Sequence, residues 1–218
     1  MQVVIAPLDG SELALAVRHV DGGKPLELEE ADLDSLLYVV SGSGSLALEG
    51  TEEELGRGAA ALVLAGEHAS ISGDGLELAH ATVGARVDRH APLGPRETIA
   101  RLDTDRAERA LGQRAYQLLF GPHNGSTRAT LFAGFLPPGR APWHYHLYDE
   151  IVFVPEGPGR LHLPGSEVEL AAGSAFRLRP REVHVVENAS AERDMTVVGL
   201  FTPAGSPSAA YLAEEPKP

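Results

Sequence analysis

Short runs of apolar or alternating residues, separated by turn-forming residues, extend along most of the chain. Runs of this length bounded by Gly, Pro, Asp and Ser are typical of β-strands. In the first part of the sequence the pattern predicts strands at 3–6, 13–20, 36–40, 45–48, 60–64 and 78–83. Further along it predicts strands at 116–120, 129–136, 151–154, 160–163, 175–178 and 196–201. Many short strands at regular spacing favour an all-β sandwich or barrel.

An internal repeat organises these strands. When the sequence is shifted by 115 residues, positions 1–84 lie over 116–199 without a gap, and 21 of the 84 pairs are identical. Several of the identical residues are glycines, which we interpret as matching turn positions within the repeat. Matching turns at constant spacing imply matching strand lengths. We therefore predict two copies of one all-β fold.

The repeat sets the predicted domain boundaries. Residues 1–84 form a first domain and 116–202 a second. The segment 85–115 is a linker, in which 104–111 is rich in Ala, Arg and Glu and predicts a short helix. Residues 203–218 contain several prolines and form an extended arm, which we expect to pack on the other domain or to fray.

Three histidines and one glutamate are spaced as metal ligands. His144 and His146 are two residues apart, so on a strand both imidazoles leave the same face, and Glu150 shares their parity. His184, on a neighbouring strand, supplies a third imidazole. Imidazole and carboxylate together suit a divalent metal, so we expect one ion of Fe, Mn, Ni, Zn or Co.

This stretch resembles the cupin superfamily. Its first motif matches Gly139, His144, His146, Glu150 and Gly157, with the first spacer one residue short. Its second motif matches Gly173, His184 and Asn188, although Arg179 and Arg181 stand where the family usually has Pro and Gly. The resemblance implies two tandem jelly-roll barrels, a bicupin, with the metal held by the two motifs.

The repeat supplies an internal comparison for the site. The positions over His144, His146, Glu150 and His184 are occupied by Glu29, Ala31, Ser35 and Ala69. His68 lies one residue away from the expected position and should point to the other face of its strand. We therefore predict one metal, in the C-terminal barrel only, and a structural role for the N-terminal barrel.

Further residues around the motifs are candidates for substrate binding. Trp143 and Tyr148 flank the ligands and are placed to form a mouth. Asn188 either binds substrate or forms a turn, and His162 either lines the pocket or lies on the surface. Arg177 and Arg179 either bind a substrate carboxylate or pair with surface acids.

Composition narrows the classes of function. The net charge of −13 argues against nucleic acid or an anionic membrane as partner. The absence of cysteine excludes disulfides and thiolate chemistry. The N-terminus lacks a basic segment and a long apolar run, so we expect a cytoplasmic protein, and the preference for Arg over Lys indicates a bacterial source.

The functional hypotheses follow from the metal site. We expect a metal-dependent oxidoreductase, dioxygenase-like, that acts on a small organic molecule, with Glu150 as the candidate catalytic base. The alternatives are a sugar-acid isomerase, a decarboxylase or a non-catalytic protein that binds a small ligand. A monomer or a homodimer is expected.

Overall fold

The structure is a computed structural model that describes residues 2–6 and 11–215. The last three residues of the predicted arm, 216–218, lie outside the described residues. Within the described chain almost all regular structure is β-strand, with two single-turn 3₁₀ helices at Thr104–Arg106 and Pro122–Asn124. None of the described helices is long and apolar enough to cross a membrane.

Eight strands from residues 2–101, here called the N-terminal half, form one sheet. They are β1 (Gln2–Ile5), β2 (Leu13–Val20), β3 (Leu26–Leu28), β4 (Asp34–Leu48), β5 (Thr51–Gly56), β6 (Ala59–Val63), β7 (Ala69–Val83) and β8 (Ile99–Arg101). The strand order is β1-β2-β7-β4-β6-β8. In addition, β3 pairs with the beginning of β7, and β5 pairs with the end of β4.

Twelve strands from residues 108–212, the C-terminal half, form three sheets. They are β9 (Glu108–Arg109), β10 (Ala115–Phe120), β11 (Thr130–Leu136), β12 (Gly139–Arg140), β13 (His144–His146), β14 (Asp149–Phe153), β15 (Gly159–Leu163), β16 (Ser166–Leu170), β17 (Ala175–Leu178), β18 (Val185–Asn188), β19 (Met195–Thr202) and β20 (Ala210–Leu212). Their orders are β17-β14-β19-β11-β10-β9, β12-β18-β15-β16 and β13-β20.

Strand order repeats between the halves. The order β6-β4-β7-β2-β1 of the first half matches β17-β14-β19-β11-β10 of the second. Register repeats at one pair of strands as well, since Ser35 pairs with Val63, and Glu150 pairs with Leu178, each 115 residues later. The predicted repeat is therefore visible in the pairing of the strands and not only in the sequence.

The constant shift of 115 residues fails at the last strand. Ser35 pairs with Thr82, which predicts Val197 as the partner of Glu150, but Glu150 pairs with Phe201. The first half uses one continuous strand, β7, where the second half uses β18 and β19 with a connecting loop between them. That loop adds residues, so the gap-free alignment was wrong for this strand.

Two glycines interpreted as turn residues instead allow close strand contact. The predicted strands 36–40 and 45–48 are parts of one 15-residue strand, β4, which bends through register shifts between Val39 and Ser43. A Cβ at Gly42 would lie 2.1 Å from the carbonyl oxygen of Gly75, and one at Gly44 would lie 2.1 Å from that of Ser72. These positions need glycine because β7 passes against β4 there, and Gly42 also has φ of 79°.

Side-chain alternation divides each half between two cores. On β14, Ile151 and Phe153 pack against the other half, whereas Val152 faces the interior of its own half. The largest core contains residues from both halves, and each half has a separate inner core. Burial of apolar surface on both faces therefore holds the halves together and stabilises each one.

The linker prediction was wrong about its helix. Residues 104–106 form one 3₁₀ turn, in which the carboxylate of Asp103 accepts a hydrogen bond from the backbone of Asp105. The next residues, Glu108 and Arg109, pair with Tyr116 and Ala115 instead. An eight-residue helix is too short to be stable by itself, so sheet pairing decides the local structure. The linker also supplies β8, which extends the first sheet.

The predicted destination of the C-terminal arm was also wrong. In its described residues the arm pairs with its own half, through β20 and β13. The ring of Tyr211 stacks on that of Tyr145 at a centroid distance of 5.4 Å. The arm therefore covers the strand that carries two of the predicted metal ligands.

A buried salt bridge across the halves predicts a large cost of mutation. Arg128 Nη1 lies 3.0 Å from Asp34 Oδ1, and both side chains are almost fully buried. Replacing Asp34 by Ala leaves the Arg128 charge without its partner, so we expect the free energy of unfolding to fall by about 3–5 kcal/mol.

Arg57 and Glu156 provide the matched control, because they also join the halves but are exposed. Glu156→Ala should cost less than about 1 kcal/mol. Denaturant unfolding of both variants, followed by circular dichroism, measures the difference. Equal costs would show that the buried pair does not stabilise the contact between the halves.

A buried histidine of the first half predicts a pH dependence of stability. His80 Nε2 lies 2.9 Å from Ser35 Oγ, and Arg18 Nε donates to His80 Nδ1 at 3.3 Å. Burial, and secondarily the charge of Arg18, lower the pKa of His80 from 6.5 to about 4. The unfolded chain therefore takes up a proton before the folded protein does as the pH falls.

This histidine should stabilise the fold fully above pH 6.5 and progressively less as the pH falls towards 4. The resulting loss in the free energy of unfolding is up to about 3 kcal/mol. We expect His80→Gln to remove this part of the pH dependence, as measured by denaturant unfolding between pH 7 and pH 4. If the difference in free energy of unfolding between wild type and variant stays constant from pH 7 to pH 4, His80 is not the cause of the pH dependence.

Candidate metal centre

Three elements bring the histidines together. His144 and His146 are the ends of β13, and alternation places both imidazoles on the inner face. His184 lies just before β18 and exchanges both backbone hydrogen bonds with His144, at N···O distances of 3.2 and 2.9 Å. Glu150 follows on β14 and points to the same interior.

The three imidazoles form a compact buried cluster. One nitrogen from each of His144, His146 and His184 lies within 4.8 Å of the others, and no second such group of three ligating residues occurs in residues 2–6 and 11–215. Only 1%, 7% and 1% of these residues is exposed, and Glu150 is 3% exposed. Burial of such polar side chains costs free energy unless their polar atoms have bonding partners.

Backbone carbonyls fix the orientation of two rings. His144 Nδ1 lies 2.9 Å from the carbonyl oxygen of Pro142, and His184 Nδ1 lies 2.8 Å from that of Glu182. These contacts assign the proton to Nδ1 and leave the lone pair on Nε2, as is usual for a histidine that binds a metal.

Electrostatics keep these histidines neutral. Burial is the main cause that lowers the pKa of His144 to about 3 and that of His184 to about 2. The positive charge of Arg114 lowers the pKa of His144 further, and the neighbouring His144 does the same for His184. Neutral imidazole is the form that coordinates a metal, so the site is prepared for one at neutral pH.

Two buried atoms at the cluster have no hydrogen-bond partner. His146 Nδ1 and Glu150 Oε2 lie 2.9 Å apart, but they do not form a hydrogen bond. Buried polar atoms are almost always satisfied, so an unpaired imidazole nitrogen beside an unpaired carboxylate oxygen requires an explanation. Three imidazoles and one carboxylate fit a divalent transition metal, which would satisfy both atoms.

Arg114 is a residue of the site that the motif analysis missed. Its Nη2 lies 3.3 Å from His144 Nε2, and its Nε donates to the carbonyl oxygen of Leu111 at 3.3 Å. Desolvation lowers the pKa of this guanidinium, while the charge of Glu150 opposes that effect. The residue lies in the segment interpreted as a linker, where no sequence signal distinguished it from the other arginines.

A cavity of about 70 Å³ adjoins the cluster. The four predicted ligands line it together with Arg114, Tyr148 and a largely apolar wall. Pro207 and Ala210 of the C-terminal arm complete the lining. Apolar walls around a few polar groups are typical of a small-molecule site.

Of the two predicted mouth residues, the structure places Tyr148 in the cavity. Its ring stacks between those of His146, at 4.6 Å, and Phe201, at 4.0 Å. Burial, and secondarily the charge of Glu150, raise the pKa of the Tyr148 phenol, so it stays protonated. Trp143 instead lies under the guanidinium of Arg140 at 5.2 Å and does not line the cavity.

The two predicted substrate arginines lie away from the cavity. Arg177 pairs with Asp149 on the face that meets the N-terminal half, and Ser11 Oγ donates to the same carboxylate at 2.8 Å. Arg179 lies at an exposed turn, where its backbone N–H donates to Glu182. Because strand alternation sends Glu150 inward, it sends Asp149 and its partner Arg177 to the opposite face.

His162 and Asn188 also have partners elsewhere. His162 Nε2 lies 2.6 Å from Glu187 Oε2, and its Nδ1 lies 3.2 Å from Glu167 Oε2. Asn188 donates to the carbonyl oxygens of Leu136 and Arg193, and its own oxygen accepts from Ser190. Asn188 therefore uses its amide to hold a turn, which was the alternative interpretation of its position.

The first half places no ligand set at the corresponding position. Leu28, and not Glu29, pairs with Ala69 as His144 pairs with His184, so the alignment is one residue out here. Both Leu28 and Ala69 belong to the inner apolar core. His68 is exposed, with its Nε2 2.9 Å from Glu29 Oε1 and 3.3 Å from Glu27 Oε2. His68 thus points outward, as its parity indicates.

Comparisons with known proteins agree with this architecture. Residues 132–201 match the family model described as "Cupin domain". A cupin 2 conserved barrel domain protein from Leptotrichia buccalis superposes with a TM-score of 0.62 and 15% identity, over 88% of this chain and 84% of that one. These findings support an all-β cupin-type fold, with a cupin domain over residues 132–201.

Oxalate decarboxylase OxdC of Bacillus subtilis is a further structural neighbour. A point mutant of that enzyme superposes with a TM-score of 0.73 and 15% identity, over 94% of this chain and 72% of that one. A second structure of the same enzyme, with the same TM-score, identity and coverage, concerns its Mn(II) centers. At this level of identity the likeness shows the fold alone. No curated protein matches the sequence.

His184→Ala tests the metal centre directly. The variant should remain folded, because a core of this size does not depend on an ion, but its metal affinity should fall by at least about 100-fold. Elemental analysis of the wild type should approach one equivalent of metal per chain.

The matched control is His68→Ala, which removes an exposed imidazole next to two carboxylates. Its metal content should equal that of the wild type. Equal loss of metal from both variants, or two saturable equivalents in the wild type, would contradict a single centre in the C-terminal half.

Proposed function

We propose that the protein is a bicupin with one metal site, in its C-terminal barrel. The repeated strand order and the repeated register between Ser35–Val63 and Glu150–Leu178 support two copies of the barrel. The outward position of His68 and the apolar interior around Ala69 support a structural role for the first copy.

The function that this site supports best is that of a metal-dependent oxidoreductase, dioxygenase-like, acting on a small organic anion. The observation that carries the proposal is the buried cluster of His144, His146 and His184 with Glu150 unpaired beside it. A divalent metal held there would supply a Lewis acid and, if it is Fe or Mn, a redox partner for dioxygen.

Arg114 is the feature that favours an anionic substrate. In this structure its N–H points at the lone pair of His144 Nε2, which is the lone pair that a metal would use. Once the metal takes that lone pair, Arg114 needs another acceptor. A carboxylate or enolate oxygen of the substrate would satisfy it with a charge-assisted hydrogen bond.

The other groups of the cavity control protons and water. Glu150 lines the cavity and is the candidate base, a role for which its carboxylate would have to loosen from the metal. Tyr148 stays protonated and presents its stacked ring as a wall. The apolar lining keeps bulk water from the reacting groups, which strengthens the attraction between Arg114 and an anion.

A second candidate, decarboxylation of a small carboxylate without net oxidation, is favoured by the same arginine. Fixing the carboxylate in an apolar cavity suits both reactions.

The metal-loaded protein should be given a panel of small organic acids while dioxygen uptake and carbon dioxide release are recorded together. Dioxygen uptake supports the oxidoreductase, release without uptake supports the decarboxylase, and saturable binding with neither supports a binding protein.

Arg114→Gln tests the role of the guanidinium. Loss of a charge-assisted hydrogen bond to the substrate should raise KM on the order of 10- to 100-fold, while metal content stays near one equivalent. Arg109→Gln, at an exposed position on β9, is the matched control and should leave KM unchanged. A variant of Arg114 with normal KM would exclude this residue from substrate binding.

A further inference from the structure

A second cavity, of about 180 Å³, lies next to the metal cavity. The two share four lining residues, Leu111, Arg114, Leu136 and Val186. The second cavity is otherwise bounded by the 112–113 turn on one side and by the 137–142 segment on the other. It is more than twice the volume of the cavity that holds the histidines.

Arg114 stands between the two spaces. Its side chain lines both, and its Nη2 reaches the His144 side while its Nε is held by the carbonyl oxygen of Leu111. A carboxylate paired with this guanidinium would therefore lie at the border of the two cavities. The charged end of such a ligand would face the metal cavity, and the rest of the ligand would extend into the second cavity.

The charges around the two cavities select an anion. The chain has 31 acidic and 18 basic residues, yet Glu150 is the only acidic residue that lines either cavity in the described chain. Two arginines, Arg114 and Arg140, line the second cavity, which has no acidic residue in its lining. A cationic ligand would find no partner there.

The walls of the second cavity are suited to a carbon chain. Pro137, Pro138 and Pro142 present rigid apolar rings, and Leu136 and Val186 form the inner wall. Arg140 is held across the ring of Trp143, with its Nη1 3.9 Å from Glu215 at the end of the arm. Rigid walls lose little conformational freedom when they receive a ligand, which favours binding.

We propose that the second cavity is a subsite for the non-reacting chain of the substrate. The substrate is then an organic carboxylate whose charged end pairs with Arg114 and whose carbon chain extends past it against the proline-lined wall. This inference rests on the proposed metal-dependent function and adds to it a preference for acids longer than two carbons.

The test is a chain-length series of probes on the full chain loaded with Mn(II). Acetate, butanoate and hexanoate are titrated, and the dissociation constants are taken from paramagnetic broadening of their proton resonances. If the chain enters the second cavity, affinity should rise by up to about fourfold for each added methylene that is buried. Hexanoate should therefore bind at least tenfold more tightly than acetate.

Filling the second cavity should abolish this gain. Ala141→Phe and, independently, Gln113→Trp enlarge residues that line the second cavity and do not line the metal cavity. Acetate should bind either variant within twofold of the wild type, while hexanoate should bind no more tightly than acetate. Ala172→Phe, in an exposed turn away from both cavities, is the matched control and should retain the full gain.

The outcomes separate this inference from the proposed function. Equal affinity for acetate and hexanoate in the wild type, or an undiminished gain in both filled variants that retain one equivalent of metal, overturns the subsite alone. If Mn(II) binds but broadens no carboxylate, including acetate, both the subsite and the anionic substrate are overturned. A gain that disappears in both filled variants and persists in Ala172→Phe establishes the subsite.

Discussion

The metal centre depends on one constraint, which is that polar atoms buried in an apolar interior need partners. Three imidazoles and a carboxylate occupy the inside of the C-terminal half, and each of these residues is almost fully buried. Pro142 and Glu182 satisfy one nitrogen of His144 and one of His184 through backbone carbonyls. His146 and Glu150 retain unpaired atoms that lie close together, and a divalent ion bound there would satisfy both.

The two halves depend on each other through the strand that carries Glu150. Alternation along β14 sends Glu150 inward and Asp149 outward. There Asp149 pairs with Arg177 of its own half and accepts a hydrogen bond from Ser11 of the N-terminal half. The same face contributes Ile151 and Phe153 to the core shared by the halves. The first half thus packs directly on the backbone that positions the carboxylate, although it supplies no ligand itself.

Much of the fold was predictable because local pattern and strand periodicity agree. The strands at 13–20 and 175–178 begin and end as predicted, and most of the others differ by one or two residues at one or both ends. The errors arise where long-range pairing overrides local preference. Gly42 and Gly44 look like turn residues but permit close strand contact, and the 104–111 segment looks helical but pairs partly with β10. The repeat, being a property of both halves, was visible in the sequence, whereas the extra loop between β18 and β19 appears only in the register.

The sequence by itself determined the spacing of His144, His146, Glu150 and His184. It also determined the common face of His144 and His146, because alternation on one strand is a local property. It also showed that the matching positions of the first half, Glu29, Ala31, Ser35 and Ala69, do not repeat this set of ligands. Only the tertiary structure decided which other side chains share the site. Arg114 reaches His144 from a distant segment, and Arg177 turns to the other half, since both outcomes depend on how separate strands are packed. The same packing places the C-terminal arm over β13, a contact between segments more than 60 residues apart that no local pattern specifies.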